Sequence, residues 1–293
     1  MSAAREPMSP PGRPKGEYRS AQREGIPTAA LGIHGIGVCA TGLPDWAFAQ
    51  SVLLGNAACG IEPLGKLDIP DLPVTERRRV NATSRLAIHA ASQAVAHLTR
   101  DECARLPSIF ASADGDGAIL ASSIEALAQQ PATMSPTLFH NSVFNAPAGY
   151  WTIASGANGP SITVSAGTAT FGAGLIEAGV QIVSSGSPVL YIAFDMPFPD
   201  SLRSFGVGGE AFACALLLGP LSPAASAWGR IEHWDRPAAR VSPSAVPAPL
   251  AARFRGNAAA AALPLLAAIA TRTPTVVAVP YHDGDCLALA YTP

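Results

Sequence analysis

The chain has 293 residues, with 19 lysines and arginines against 21 aspartates and glutamates and a formal net charge of -2. That balance removes the electrostatic case for nucleic acid or an anionic membrane as a partner. The length permits one large α/β domain or two small ones. A composition rich in Ala and Gly and poor in aromatics fits closely packed helices and strands rather than a disordered chain.

Residues 1–28 are polar, Pro-rich and of mixed charge, without the apolar core of a signal peptide. They read as a disordered tail, and the expected location is the cytoplasm. The longest apolar stretch, Ala258–Ala270, is too short for a membrane span and is interrupted by Pro264. Cys39, Cys59, Cys103, Cys214 and Cys286 are scattered, odd in number and without CxxC spacing. Neither a disulfide framework nor a zinc site is signalled, and free thiols in a reducing compartment are expected.

Ala30–Gly42 (ALGIHGIGVCATG) predicts a buried strand and a turn. Leu43-Pro44-Asp45 then opens a helix over Trp46–Leu54, and residues 55–75 read as irregular. From Asn81 to Leu98, Leu86, Ala90, Gln93, Ala94 and His97 fall at helical spacing. The run Arg77-Arg78-Arg79 ahead of that helix reads as solvated. Ser108–Ala113 predicts a strand and Ile119–Gln129 a helix. Ser135–Phe139 begins a helical or looped stretch.

Gly159–Gly174 (GPSITVSAGTATFGAG) predicts a buried strand at Ser161–Ser165, a tight turn, and a small-residue helix over Phe171–Ser184. Such a turn can present a nucleophile at a helix N-terminus, and here it offers Ser165, Thr168 and Thr170. Strands at Pro188–Phe194 and Phe212–Leu218 follow. Alternation of strands and helices over 30–218 predicts an α/β layered domain with a mostly parallel sheet.

After Gly219, Pro, Ala and Ser thicken. We divide the chain into the tail 1–28, a domain at 29–220, and a short C-terminal segment at 221–293 that completes or caps the sheet. That segment predicts a short strand at Trp228–Trp234 and a helix at Asn257–Ala270. It closes with strands at Thr275–Pro280 and Cys286–Tyr291, joined by a hairpin at His282-Asp283-Gly284-Asp285.

Several motifs read as ordinary structure. Asp114-Gly115-Asp116 resembles the start of a calcium loop, but Ala118 and Ile119 occupy positions that need a further ligand and a glycine. Gly206–Glu210 lacks the Lys-Ser/Thr of a phosphate loop and reads as a turn. His89 and His97 stand eight apart, not at the i, i+4 spacing of a metal pair. Asp195, at a strand's C-terminal end, either faces a site or is a satisfied turn residue. No metal and no cofactor are expected.

Four stretches together resemble the β-ketoacyl synthases. They are Leu31–Gly42 with its G-I-G turn, Asn145-Ala146-Pro147-Ala148-Gly149, Gly159-Pro160-Ser161-Ile162, and Phe205–Leu218 around Gly209-Glu210-Ala211. They span about residues 30–218 in that family's order. With His140–Tyr150, the chain is most similar to the short ketosynthase-like, chain-length-factor-like partners of aryl polyene and xanthomonadin-type clusters. The resemblance implies a thiolase-like fold: one αβα layered half with a mostly parallel central sheet and a truncated C-terminal half.

The family's nucleophilic cysteine falls by count on Thr168. A threonine hydroxyl lacks a thiolate's access to its anion and needs an adjacent base. The family's two histidines lie in a C-terminal half that is nearly all missing, since 75 residues follow Leu218. His282 fits the hairpin better than a catalytic role, and His233 has no partner spacing.

The resemblance therefore implies a non-catalytic subunit that pairs as a heterodimer with a complete β-ketoacyl-ACP synthase and meets an acyl carrier protein. Phe139, His140, Phe144, Asn145, Thr168 and Phe171 are the expected acyl-pocket or interface residues. The three phenylalanines could equally be ordinary core. A second reading is an acyltransferase or hydrolase using Ser165 or Thr168 with His140 as base. A third is a carrier-protein binding module using Arg77–Arg79.

Overall fold

A computed structural model describes residues 30–206, 208–221, 227–235, 246–281 and 285–293, excluding the side chains of 233–235. The expected tail at 1–28 and the hairpin tip at 282–284 lie outside the described residues. In chain order the elements begin with β1 (Leu31–Ala40), α1 (Trp46–Leu53), α2 (Val74–Arg79), α3 (Ala82–Ala94), α4 (Arg100–Arg105) and β2 (Ser108–Ala111). There follow α5 (Gly117–Ala128), α6 (Pro136–Ser142), α7 (Ala146–Ser155), β3 (Ser161–Val164), α8 (Thr170–Ser185), β4 (Val189–Asp195) and β5 (Phe212–Pro220). The chain closes with β6 (Arg230–Asp235), α9 (Ala248–Arg253), α10 (Leu263–Thr271), β7 (Thr275–Pro280) and β8 (Cys286–Thr292).

All eight strands form one sheet in the order β3-β2-β4-β5-β1-β6-β8-β7. The central strand β4 shows why the core has two halves. Val189, Tyr191 and Ala193 face one layer, and Leu190, Ile192 and Phe194 face the other, as a period of two requires. α8, α10 and α1 cover the first face; α3 and α7 cover the second. The result is an αβα sandwich whose inner strands are buried on both sides.

The expectation of a mostly parallel sheet needs correction. β3, β2 and β4 are parallel neighbours, but β5 enters antiparallel between β4 and β1. The pairs joining β1, β6, β8 and β7 are antiparallel too. Among its described residues the β4–β5 link carries only a short 3-10 turn at Asp200–Leu202. Lacking a crossover helix, it returns the chain antiparallel beside β4.

Helix α3 lies almost on the backbone of β1. A Cβ at Gly35 or Gly37 would come within 2.0 or 1.9 Å of the carbonyl oxygens of Ala94 and Ala90. Glycine on the strand against alanine on the helix permits this approach. Asn81 caps α3 by accepting from Ser84 N–H at 2.8 Å, and the helix stops at Ala94 rather than Leu98. Gln93 accepts from the N–H groups of Val38 and Trp46 and donates to the Pro44 carbonyl, tying β1 to α1.

The C-terminal segment joins the same sheet. β6 pairs with β1 at Leu31–Ile231 and Gly32–Arg230, and β8 and β7 extend it. α10 begins at Leu263 with Pro264 in its first turn, where proline is tolerated, after a 3-10 turn at Ala259–Ala262. α9 was not anticipated from the sequence, because six residues carry too little periodicity. The end of β7 meets the start of α8. A Cβ at Gly172 would stand 2.6 Å from the Pro280 carbonyl oxygen. Among the described residues no helix is long and apolar enough to cross a membrane.

Candidate functional site

The stretch after β3 folds into a strand, a tight turn and a helix N-terminus. Gly167 takes φ +54° at the bend, and a 3-10 turn at Gly167–Ala169 leads into α8. Thr170 is fully buried and clamps the turn. Its hydroxyl donates to Gly167 O at 2.7 Å and accepts from Ala166 N–H at 3.0 Å. The Ser165 hydroxyl donates to Ala113 O at 2.7 Å, fastening the turn to the end of β2.

Thr168 stands at the tip, exposed. It lines a cavity of about 340 Å³ whose other walls come from Phe254–Pro264, Ala278 and Pro280. The lining is apolar except for Thr168, Asn257 and the exposed Arg255. The geometry is a strand, a tight turn and a helix start with a hydroxyl at its tip. Among the described residues no hydrogen bond joins Thr168 or Ser165 to a base. His140, the expected base, is exposed, and its ring meets Tyr150 edge-on at 5.5 Å. His282 and the side chain of His233 lie outside the described residues.

Phe139 and Phe144 belong to a different cavity, of about 300 Å³, between α5 and α6. Ile119, Leu120 and Val143 share its walls with Asp114 and Asn141. Its floor reaches Phe194 of β4. Asn145 sits at the start of α7 without a side-chain cap. Phe171 must be removed from the expected pocket set. It is fully buried against Tyr191 in the α8 core layer, with ring centroids 5.6 Å apart. As the second residue of α8, it points into the sheet rather than toward the Thr168 cavity.

The strand ahead of the turn also needs correction. Ser161–Ser165 is not a buried strand. β3 is the edge of the sheet, paired on one side only, with Ser161 and Ile162 exposed. Its flanks are apolar: Ile153 on α7 and Val180 and Val183 on α8 are exposed. Against α6, α5 exposes Leu120, Ile124 and Leu127 at helical spacing, and Phe139 and Val143 are exposed too.

Sequence reasoning underweighted Asp195. It closes β4 at 1% exposure and accepts hydrogen bonds from Ser112, Ala113 N–H and Ala259 N–H. Burial pushes its pKa up to about 7, with those three donors opposing the rise. An acidic residue ending an apolar strand was the available signal. Asp116 is structural: it caps α5 by accepting from Ile119 N–H at 2.9 Å. Among the described residues no group of three His, Cys, Asp or Glu side chains could hold a metal ion.

The described residues form a three-layer sandwich with this strand-turn-helix element and a reversed β5, and solved structures of ketosynthases share that fold. The model of the β-ketoacyl synthase N-terminal domain matches residues 48–267, and the chain belongs to that family. No curated protein matches it in sequence.

Solved structures agree on the fold. The ketosynthase ApeO in complex with its chain length factor ApeC, from Xenorhabdus doucetiae, is matched with a TM-score of 0.65 at 23% identity. The match covers 89% of this chain and 99% of that one. The ishigamide ketosynthase/chain length factor gives 0.66 at 15% identity, over 90% and 100% of the two chains. AntDE:AntF, a type II polyketide synthase acyl-carrier protein in complex with its ketosynthase, gives 0.73 at 13% identity over 90% and 99%.

Proposed function

We propose that this chain is a ketosynthase-like subunit without condensing chemistry of its own. In this reading it resembles a chain length factor and pairs with a complete β-ketoacyl-ACP synthase in fatty-acid- or polyketide-type (aryl polyene) biosynthesis. The observation that carries the reading is the turn with an exposed Thr168 and, among the described residues, no base in contact. A condensing step needs a thiolate nucleophile, and a hydroxyl at this position does not supply one.

Pairing is supported by the open β3 edge and its exposed apolar flanks, which together form an association surface. The ketosynthase–chain length factor and ketosynthase–carrier protein complexes among the fold neighbours support the same partners. The cavity at Phe139 and Phe144, of mixed apolar and polar lining, then serves as a pocket for a growing chain near the interface, with His140 and Asn145 at its border. Residues 29–220 carry the paired face, and residues 221–293 close the rest of the sheet. The subunit works in the cytoplasm beside its partner.

An acyltransferase or hydrolase reading has less support. The Ser165 hydroxyl is spent on Ala113 O, and the His140 ring is packed on Tyr150. The carrier-protein module reading is weakened at Arg79, which pairs with Glu76 at 3.5 Å.

Co-expression with the ketosynthase encoded nearest to it, purified through a tag on this chain alone, tests the proposal. A stoichiometric complex whose condensing activity requires this chain is expected. A stable monomer or homodimer that leaves the ketosynthase unbound would overturn it.

A further inference from the structure

One carboxylate joins two walls of the Thr168 cavity. Asp195 Oδ1 accepts from the Ser112 hydroxyl at 2.9 Å and from Ala113 N–H at 2.8 Å. Its Oδ2 accepts from Ala259 N–H at 3.1 Å. The Asp195 carbonyl accepts from Asn257 Nδ2 at 3.2 Å, and the same amide reaches Glu210 O at 2.9 Å. Asn257 Oδ1 accepts from Ala260 N–H at 3.1 Å. Asn257, Ala258, Ala260 and Ala261 form one wall of the cavity. The opposite wall, the Thr168 turn, hangs from Ala113 through Ser165.

The charges around this junction are one-sided. Asp114 faces Asp195 from the turn after β2 and disfavours its ionisation. Tyr191 and Cys214, from β4 and β5, are buried, and burial raises both pKa values. The Tyr191 hydroxyl is committed to Phe171 O at 2.7 Å. The Glu210 carboxylate lies 3.5 Å from the Thr41 hydroxyl. No ion pair among the described residues brings Arg, Lys or His to Asp195. An ionised Asp195 is therefore a buried charge held by three neutral donors and no cation, a costly arrangement. The neutral acid keeps the Ala259 contact at Oδ2. The Ser112 hydroxyl, which already accepts from Gly115 N–H at 3.0 Å, can turn to accept from a protonated Oδ1.

We propose that Asp195 is a proton-dependent bolt on the Thr168 cavity: neutral, it clamps the 257–262 turn to the end of the sheet; ionised, it draws water into the junction and loosens that wall. This inference stands whether or not the chain pairs with a ketosynthase. Its sign follows from linkage. The closed junction holds the proton up to about pH 7, whereas a solvated carboxylate releases it near its usual 3.8. Deprotonation therefore favours opening. Global stability from this group is fully present below about pH 4 and is lost as pH rises to about 7.

Hydrogen exchange on the full chain between pH 5.5 and 8.5, corrected for chemical exchange rates, tests the bolt. Protection over 257–262 is expected to fall at least tenfold across that range while α3 keeps its protection. Asp195→Asn is expected to flatten the profile. A flat wild-type profile, or the same fall in Asp195→Asn, would overturn the proposal. Should the variant fail to fold, NMR titration of the wild-type Asp195 carboxyl carbon decides: a midpoint near 7 supports the bolt, and one below 5 sinks it.

Discussion

β3 and β7 bound the same eight-stranded sheet, but one edge is covered and the other is open. On β7, Val277 and Val279 are buried, the strand ends in a proline, and the start of α8 presses on its last carbonyl through Gly172. α10 packs along it as well. Among the described residues the four of β3 carry no neighbour on their outer side; Ile162 within it is exposed, as are Ile153 on α7 and Val180 and Val183 on α8, the two helices that contact β3. The chain has used its own C-terminal segment to protect one edge. An unprotected edge with apolar flanks is a liability for a lone subunit and a docking surface for a paired one.

The largest expected effect comes from prising off the covered edge. Gly172→Val places a side chain against the Pro280 backbone, which cannot move without taking β7 with it. We expect a loss of roughly 3 kcal/mol in urea unfolding, in the range of core overpacking. A change under about 0.5 kcal/mol would mean that β7 is held elsewhere.

The open edge should respond in the opposite manner. Ile162→Lys is expected to leave stability within about 0.5 kcal/mol. It should also cut recovery of a co-expressed ketosynthase at least tenfold, about 1.4 kcal/mol of association. Unchanged recovery would remove β3 from the interface and leave the α5–α6 face as the surface to test.

Thr168→Cys makes the smallest disturbance and sharpens the reading of the turn between these edges. Stability should stay within about 0.5 kcal/mol. A thiol at the start of α8 gains from the helix N-terminus, whereas burial pushes the Cys214 thiol up. Peptide-resolved iodoacetamide labelling at pH 7 should modify position 168 at least tenfold faster than Cys214. Equal rates would show that the turn does not present its tip as a nucleophile turn does.

Much of this organisation was legible before the structure. Continuous apolar runs placed β4 and β5, and the small residues of α3 foretold close packing on the sheet. The order of four short motifs identified the family, and the tight turn after the strand offered Thr168 among its tip residues. Single positions were harder. Phe171 reads equally as pocket or core, because a phenylalanine one residue into a helix can point either way. The choice depends on what lies beneath it, here Tyr191 of a strand 20 residues later.

The sequence by itself determined the longer strands and helices, and that the turn after β3 carries a hydroxyl at Thr168. Both are local properties, set by periodicity, turn residues and side-chain chemistry. Only the tertiary structure decided that Ser161–Val164 is an edge, that β5 runs against its neighbours, and that Asp195 bolts the C-terminal turn to the sheet. Strand order and burial arise from pairings between distant segments. A four-residue SITV looks the same at the centre of a sheet as at its rim, until the other strands have taken their places.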